Sequence, residues 1–333
     1  MIEASVAINA IILYCDESLL NVRLGKNYRV VKTYIDDLPF KNKIVDGRGH
    51  FSISYLGSLQ QDNNGQYFIC LKKDAIHPIN NPITVPGSYT NEDFMCSDQI
   101  KEYTESEWQY LHMVFSLLRL FREGNIGTKE VFFDYDFQMG FVRCKPCDIK
   151  DSIGRNIIDR RIFTLSDTEL QQCNQFIAEY SGNVYLLMKN CINEFIHGLE
   201  QIDIATGFEQ YTTTLEMTLL GHDQQGKKEV LSKRISVMLE TDPERVNALY
   251  QKLKTFYRYR SESLHEGHGE NISYAELYEM ENITRCVLKK CLKFCKAELN
   301  TNPSVTWQAV KEKIISELKR KVASEIEQGR FVD

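Results

Sequence analysis

The chain changes period near its middle. Before about residue 165 the apolar positions recur in short stretches of two-residue alternation. YRVVKTYI (28–35), HFSISYL (50–56) and QYFICLK (66–72) are rich in β-branched and aromatic residues and predict strands. The opening MIEASVAINAIILYCDESLL predicts a first strand; it has neither the basic start nor the small-residue cleavage site of a signal peptide. SLQQDNNG separates two of the strands, and its Asn64-Gly65 pair suits positive φ. HPINNPITVPGSYTNED (77–93) holds three of the seven prolines and predicts a loop. SEWQYLHMVFSLLRLFREGNIG (106–127) has the 3–4 spacing of an amphipathic helix, with Ser106 to cap it and Gly124 to end it. KEVFFDYDFQMGFVRC (129–144) returns to strand.

From residue 166 the period becomes 3.6. Ser166 or Asp167 caps a helix through Tyr180, and helices are predicted over about 184–199, 207–221, 228–240, 243–265, 273–300 and 304–328. The connections SGN, TDP, EGHGEN and TNP are short, and short loops between long helices make antiparallel neighbours. The expected fold class is therefore an α+β N-terminal domain, residues 1–165, followed by an all-α helical bundle, residues 166–333.

Composition narrows the function classes. Of 333 residues 43% are hydrophobic and 26% charged, which excludes a disordered or low-complexity chain. The net charge of −6 confines any nucleic-acid contact to a local patch. No apolar run approaches the length of a membrane helix, so no membrane partner is expected. Ten cysteines are too few for a disulfide-stapled scaffold, and the expected location is a reducing cytoplasm.

Most familiar chemistry is missing. Cys144-Lys-Pro-Cys147 lacks the second ligand pair of a structural zinc site, and it ends a strand rather than opening a helix; its thiols read as incidental. Cys286, Cys291 and Cys295 fall on a helix, and the last two share a face with leucines, as core thiols do. There is no phosphate-binding glycine loop and no His-Glu-x2-His, so no cofactor and no metal is expected.

LYQKLKTFYRYRSESLHEGHGENIS (249–273) is more informative. Apolar positions 249, 253, 256 and 257 face a core, and Arg258, Arg260, Ser261 and His265 follow. Arg260 and His265 lie on roughly adjacent helix faces, one turn and a half apart. They could flank one phosphate, Arg260 neutralising charge through its planar fork and His265 moving a proton. Basic residues accompany them. Arg285, Lys289, Lys293 and Lys296 recur as a helical stripe, and Lys252 and Lys254 precede Arg258; both runs read as an RNA track or as a solvated face.

Arg260-Ser-Glu-Ser-Leu-His265-Glu-Gly267 resembles the signature of the HEPN superfamily, and most closely its Apea-like branch. So do the Tyr/Phe-x-Arg run before it, the Glu-containing helix Leu215-Glu216-Met-Thr-Leu219-Leu220, and the apolar Ile235-Ser-Val-Met-Leu239. Ser261 stands where many active members carry Asn, Asp or His. The likeness covers roughly 207–300 and implies a homodimeric, metal-independent endoribonuclease. In that reading Arg260 and His265 are catalytic, with Arg258 and Ser261 in support, and Lys252, Lys254, Arg285, Lys289, Lys293 and Lys296 bind RNA. The resemblance further implies an anti-phage, abortive-infection effector whose N-terminal domain meets a phage-derived trigger. Two other classes stay open: a non-catalytic dimerisation or scaffold module, and a nucleic-acid sensor.

Overall fold

A computed structural model of the chain describes residues 2–37, 61–79, 98–139, 142–145, 147–151, 153, 161–221, 226–266 and 272–331. Two compact units divide them, one running through Ala178 and the other beginning at Glu179.

The first unit is built on an antiparallel sheet. Its strands are β1 (Ile2–Leu13), β2 (Arg29–Thr33), β3 (Tyr67–Ile79), β4 (Gly127–Met139), β5 (Val142–Cys144) and β6 (Cys147–Lys150). The order is β2-β3-β1-β4, with β5 and β6 both along the outer edge of β4. The predicted strand 129–144 is thus two strands. Met139 stands opposite Val142, the two strands pairing antiparallel. The strand expected over 50–56 lies outside the described residues, as does most of the 77–93 loop; residues 77–79 still belong to β3.

Helix α1 (Asp98–Phe121) covers one face of this sheet. That face carries Val6, Ile8 and Ala10 of β1 and, opposite them, Tyr135, Phe133 and Val131 of β4. The helix starts eight residues before Ser106, which is therefore an interior position rather than a cap. The reason is that its first turns bury polar residues. Thr104 shares a hydrogen bond with the Tyr135 hydroxyl, and Glu107 is buried. A purely apolar period cannot count such positions. After the helix Gly124 takes φ +134°, and a Cβ there would lie 2.8 Å from the Phe163 Cα. Only glycine allows that close approach.

Glu107 is the polar hub under α1. It accepts from Lys72 Nζ at 3.1 Å, Lys26 Nζ at 3.0 Å and the Tyr28 hydroxyl at 2.8 Å. Lys72 also meets Asp74 at 2.9 Å, and Asp74 accepts from the Tyr103 hydroxyl. Lys72 is placed inward because strand alternation puts it on the face of Phe68 and Cys70. Burial pulls the Asp74 carboxyl upward, but the hydrogen bonds from Lys72 and Tyr103 hold it below its ordinary pKa. Helix α2 (Asp167–Tyr180) follows, its start fixed by hydrogen bonds exchanged between Ser166 and Glu169.

The second unit is helical: α3 (Asn183–Leu199), α4 (Ile204–Leu219), α5 (Lys227–Leu239), α6 (Pro243–Glu266), α7 (Tyr274–Thr301) and α8 (Trp307–Glu327). These elements fall where the 3.6-residue period places them. Helix α4 packs against α3, α5, α6, α7 and α8, and its Phe208, Tyr211, Leu215 and Leu219 are buried at the centre. Cys291 and Cys295 are wholly buried in this core. Burial pushes their thiols up, that of Cys295 to about 12, as befits packing residues. Among the described residues no helix is long and apolar enough to cross a membrane.

Glu107→Gln leaves the buried Lys72 and the exposed Lys26 without their shared carboxylate. It should cost roughly 3 kcal/mol or more of stability, read as a lowered urea midpoint of the N-terminal unit. A loss under about 1 kcal/mol would show the cluster to be well solvated.

Candidate active site

The geometry of the Arg260 region begins with the packing of α6. Leu253, Phe256 and Tyr257 occupy the buried face of this helix at 3–4 spacing. Phe256 meets Phe208 of α4 edge to face, with ring centroids 5.5 Å apart. Arg260 holds the next position along the same face, and there its guanidinium Nη1 donates to the Glu216 carboxylate of α4. The two residues are 44 positions apart in sequence. Both side chains are mostly covered, 23% exposed for Arg260 and 17% for Glu216.

The turn that carries Glu216 is held from outside. Arg234 of α5 donates to the Leu219 carbonyl at 2.8 Å, and Lys311 of α8 donates to the Met217 carbonyl at 2.6 Å. Cations at a helix C-terminus satisfy its last carbonyls and oppose its dipole. Burial lowers the Lys311 pKa, the cost of placing an ammonium there. Helix α4 therefore ends in a fixed register, and Glu216 meets Arg260 at a defined height.

Two polar atoms at this place have no hydrogen-bond partner. They are Arg260 Nε and the Tyr257 hydroxyl, both buried. Helix α6 continues without a break through residues 261–266, so Arg260 and His265 stand on one helix, about 7.5 Å apart along its axis. The side chains of Ser261 and His265 lie outside the described residues.

The other basic candidates are dispersed. Arg285 is a correction to the stripe read from sequence. It is only 4% exposed, paired with Glu281 one turn earlier and set over the Phe195 ring, because α7 turns that position toward the core. Lys296 pairs with Glu179 at 3.1 Å, and Lys252 pairs with Glu279 at 2.5 Å. Lys254 sits over the Tyr250 ring and Arg258 over the Tyr259 ring. Lys289 is half-buried, whereas Lys293 is exposed. Most of these cations are matched within the unit, so they do not form one continuous positive track.

The sequence marks Tyr257 only as a core position. Its 3–4 spacing signals burial, and nothing in the spacing signals an unpartnered hydroxyl. Cys144 and Cys147 belong to separate short strands facing Phe137 and Asp134 of β4. Among the described residues no group of three or more His, Cys, Asp or Glu is placed to hold a metal ion.

No protein-family model matches the chain, and no curated protein or solved structure matches it.

Proposed function

We propose that the helical unit is a HEPN-type endoribonuclease that cleaves RNA by attack of the substrate's own 2′-hydroxyl. The observation that carries the reading is the meeting of Arg260 with Glu216. Two segments that each resemble the family come into contact across 44 positions, and Arg260 shares its helix with His265.

The chemistry follows from the residue types. Arg260 neutralises charge that develops on the phosphoryl oxygens. His265 accepts the 2′-hydroxyl proton or protonates the leaving 5′-oxygen, the role histidine most often fills. The attacking group is already next to phosphorus, which removes much of the entropic barrier. Glu216 fixes the approach of the guanidinium. One protomer supplies one Arg-His pair, so a twofold axis near α6 completes a shared cleft. The cellular setting we propose is cytoplasmic anti-phage defence by abortive infection, with a phage-derived trigger acting on the sheet unit.

One observation favours a second reading, a HEPN module that only dimerises or scaffolds a partner. The charge of Arg260 is already met by an internal carboxylate, as that of a structural arginine would be.

Purified protein incubated with total RNA in EDTA tests the two readings. Cleavage should persist and leave 2′,3′-cyclic phosphate and 5′-hydroxyl ends. His265→Ala should lower the rate by roughly 10²–10⁴-fold. Arg260→Ala and Arg260→Lys should both be poor, since an ammonium cannot reproduce the fork, while Arg258→Ala should be mild. A 2′-deoxy nucleotide on the 5′ side of the cut should block it. Loss of activity in EDTA that magnesium restores would overturn the mechanism, and a protein that cuts no RNA with or without phage extract would leave the scaffold reading. Light scattering at tens of micromolar should report a dimer; a fully active monomer would refute the shared cleft.

A further inference from the structure

Helix α8 keeps its apolar face longer than the helical unit covers it. Val310, Ile314, Ile315 and Leu318 are buried. The same 3–4 spacing runs on through Val322 and Ile326, yet Val322 is only half-buried and Ile326 is 50% exposed. A cavity of about 390 Å³ lies between these last turns and α5, a volume usual for a small-molecule pocket. Val230 of α5 and Val322, Ala323 and Ile326 of α8 form its apolar wall.

The charged lining is cationic in balance. Lys233 and Arg234 of α5 and Lys319 of α8 face the single carboxylate of Glu229. Glu229 is already engaged, accepting from Lys233 Nζ at 2.8 Å and from the Tyr250 hydroxyl at 2.5 Å. Arg234 is only 3% exposed, and its Nη1 is anchored on the Leu219 carbonyl at 2.8 Å. A cationic guest would meet like charges here, and a wholly apolar one would cover cations without an anion to answer them. A second copy seated by a twofold axis would set the same cationic patch against itself. A guest with an apolar body and one anionic head suits both parts of the lining, and its charged contacts strengthen as water is excluded.

We infer that the α5–α8 cavity binds a small molecule with an apolar body and a single carboxylate-like head. The body lies on Val230, Val322, Ala323 and Ile326 and completes the face of α8. The head turns toward Arg234 and Lys319. The cavity lining includes neither Arg260 nor Glu216, so the site stands whether or not the unit cleaves RNA.

Calorimetric titration of the full chain with octanoate, octanol and octylammonium tests this, each kept below its solubility or micelle limit. The three share one tail and differ in the charge of the head. Octanoate should bind one to one with a Kd of about 1 mM or tighter, as its size allows. Octanol should bind at least about tenfold more weakly, the worth of a hydrogen bond to a charged group, and octylammonium more weakly still. Ala323→Trp, at an exposed helical position, fills the cavity and should abolish octanoate binding. Lys319→Glu, exposed and safe for folding, should weaken octanoate severalfold and strengthen octylammonium. Arg234 is left intact because it anchors α4. No octanoate binding, equal affinity for the three heads, or binding indifferent to Lys319→Glu or to a folded Ala323→Trp would each overturn the inference. So would a wild-type oligomer that Ala323→Trp dissociates, since a second copy then covers this face.

Discussion

A charge removed from water must be met by a counter-charge and by hydrogen bonds, or it costs several kcal/mol. This requirement fixes how the helices and the sheet of each unit come together. In the sheet unit, strand alternation sends Lys72 inward with Phe68 and Cys70, and only a helix presenting an acid at that height can cover it. Glu107 supplies that acid, and the register of α1 over β1 and β3 follows from the pairing. In the helical unit, Arg285 is met by Glu281 of its own helix, which stabilises α7 without tying it to a neighbour. Arg260 is met by Glu216 of another helix. That pair ties α6 to α4 beyond the apolar contact of Phe256 with Phe208, and it sets where the guanidinium can reach.

The sequence made most of this architecture legible where burial is apolar and periodic. The helices from Asp167 onward were readable because their cores are built from Leu, Ile, Val, Phe and Tyr at 3–4 spacing. Legibility failed where a buried face is polar. The first turns of α1 escaped because Thr104 and Glu107 look like surface residues until their partners on the sheet are known. The stripe at Arg285 failed for the converse reason, since a basic residue at a regular interval looks exposed while α7 buries it. Within the site, Arg260 and Glu216 were each visible as motif residues. Their contact is a property of packing, carried by the apolar residues around them. The idle hydroxyl of Tyr257 left no trace in the sequence, because a tyrosine at a core spacing is ordinary whether or not its hydroxyl is satisfied.

Electrostatics constrain how an RNA would be held. The chain is acidic overall, and in the helical unit Lys252, Lys296, Lys313 and Lys321 are each paired with a glutamate. Matched surface pairs attract a polyanion weakly, and salt screens what remains. Affinity along a long track of phosphates is not what this surface offers. The proposed reaction requires instead that a few phosphates be gripped hard at one place. A guanidinium in a half-buried setting suits that, because its hydrogen bonds strengthen as water is excluded.

The distribution of unsatisfied groups bears on the same point. Among the described residues of the helical unit four buried side-chain atoms lack partners: Gln210 Oε1, Ser232 Oγ, Tyr257 OH and Arg260 Nε. Each such group costs about 1–3 kcal/mol, so a core selected for stability alone would replace them with apolar atoms. Phenylalanine at 257 would keep the packing and remove one penalty at once. Two of the four lie within one turn of α6, at the charge pair the motif singles out. Local penalties persist where a second arrangement of the same groups recovers them, as at ligand-binding and catalytic sites. Arg260 Nη1 is bonded to Glu216 while the Nε–H beside it stays idle. In the proposed reaction a substrate phosphate would give that Nε–H its acceptor.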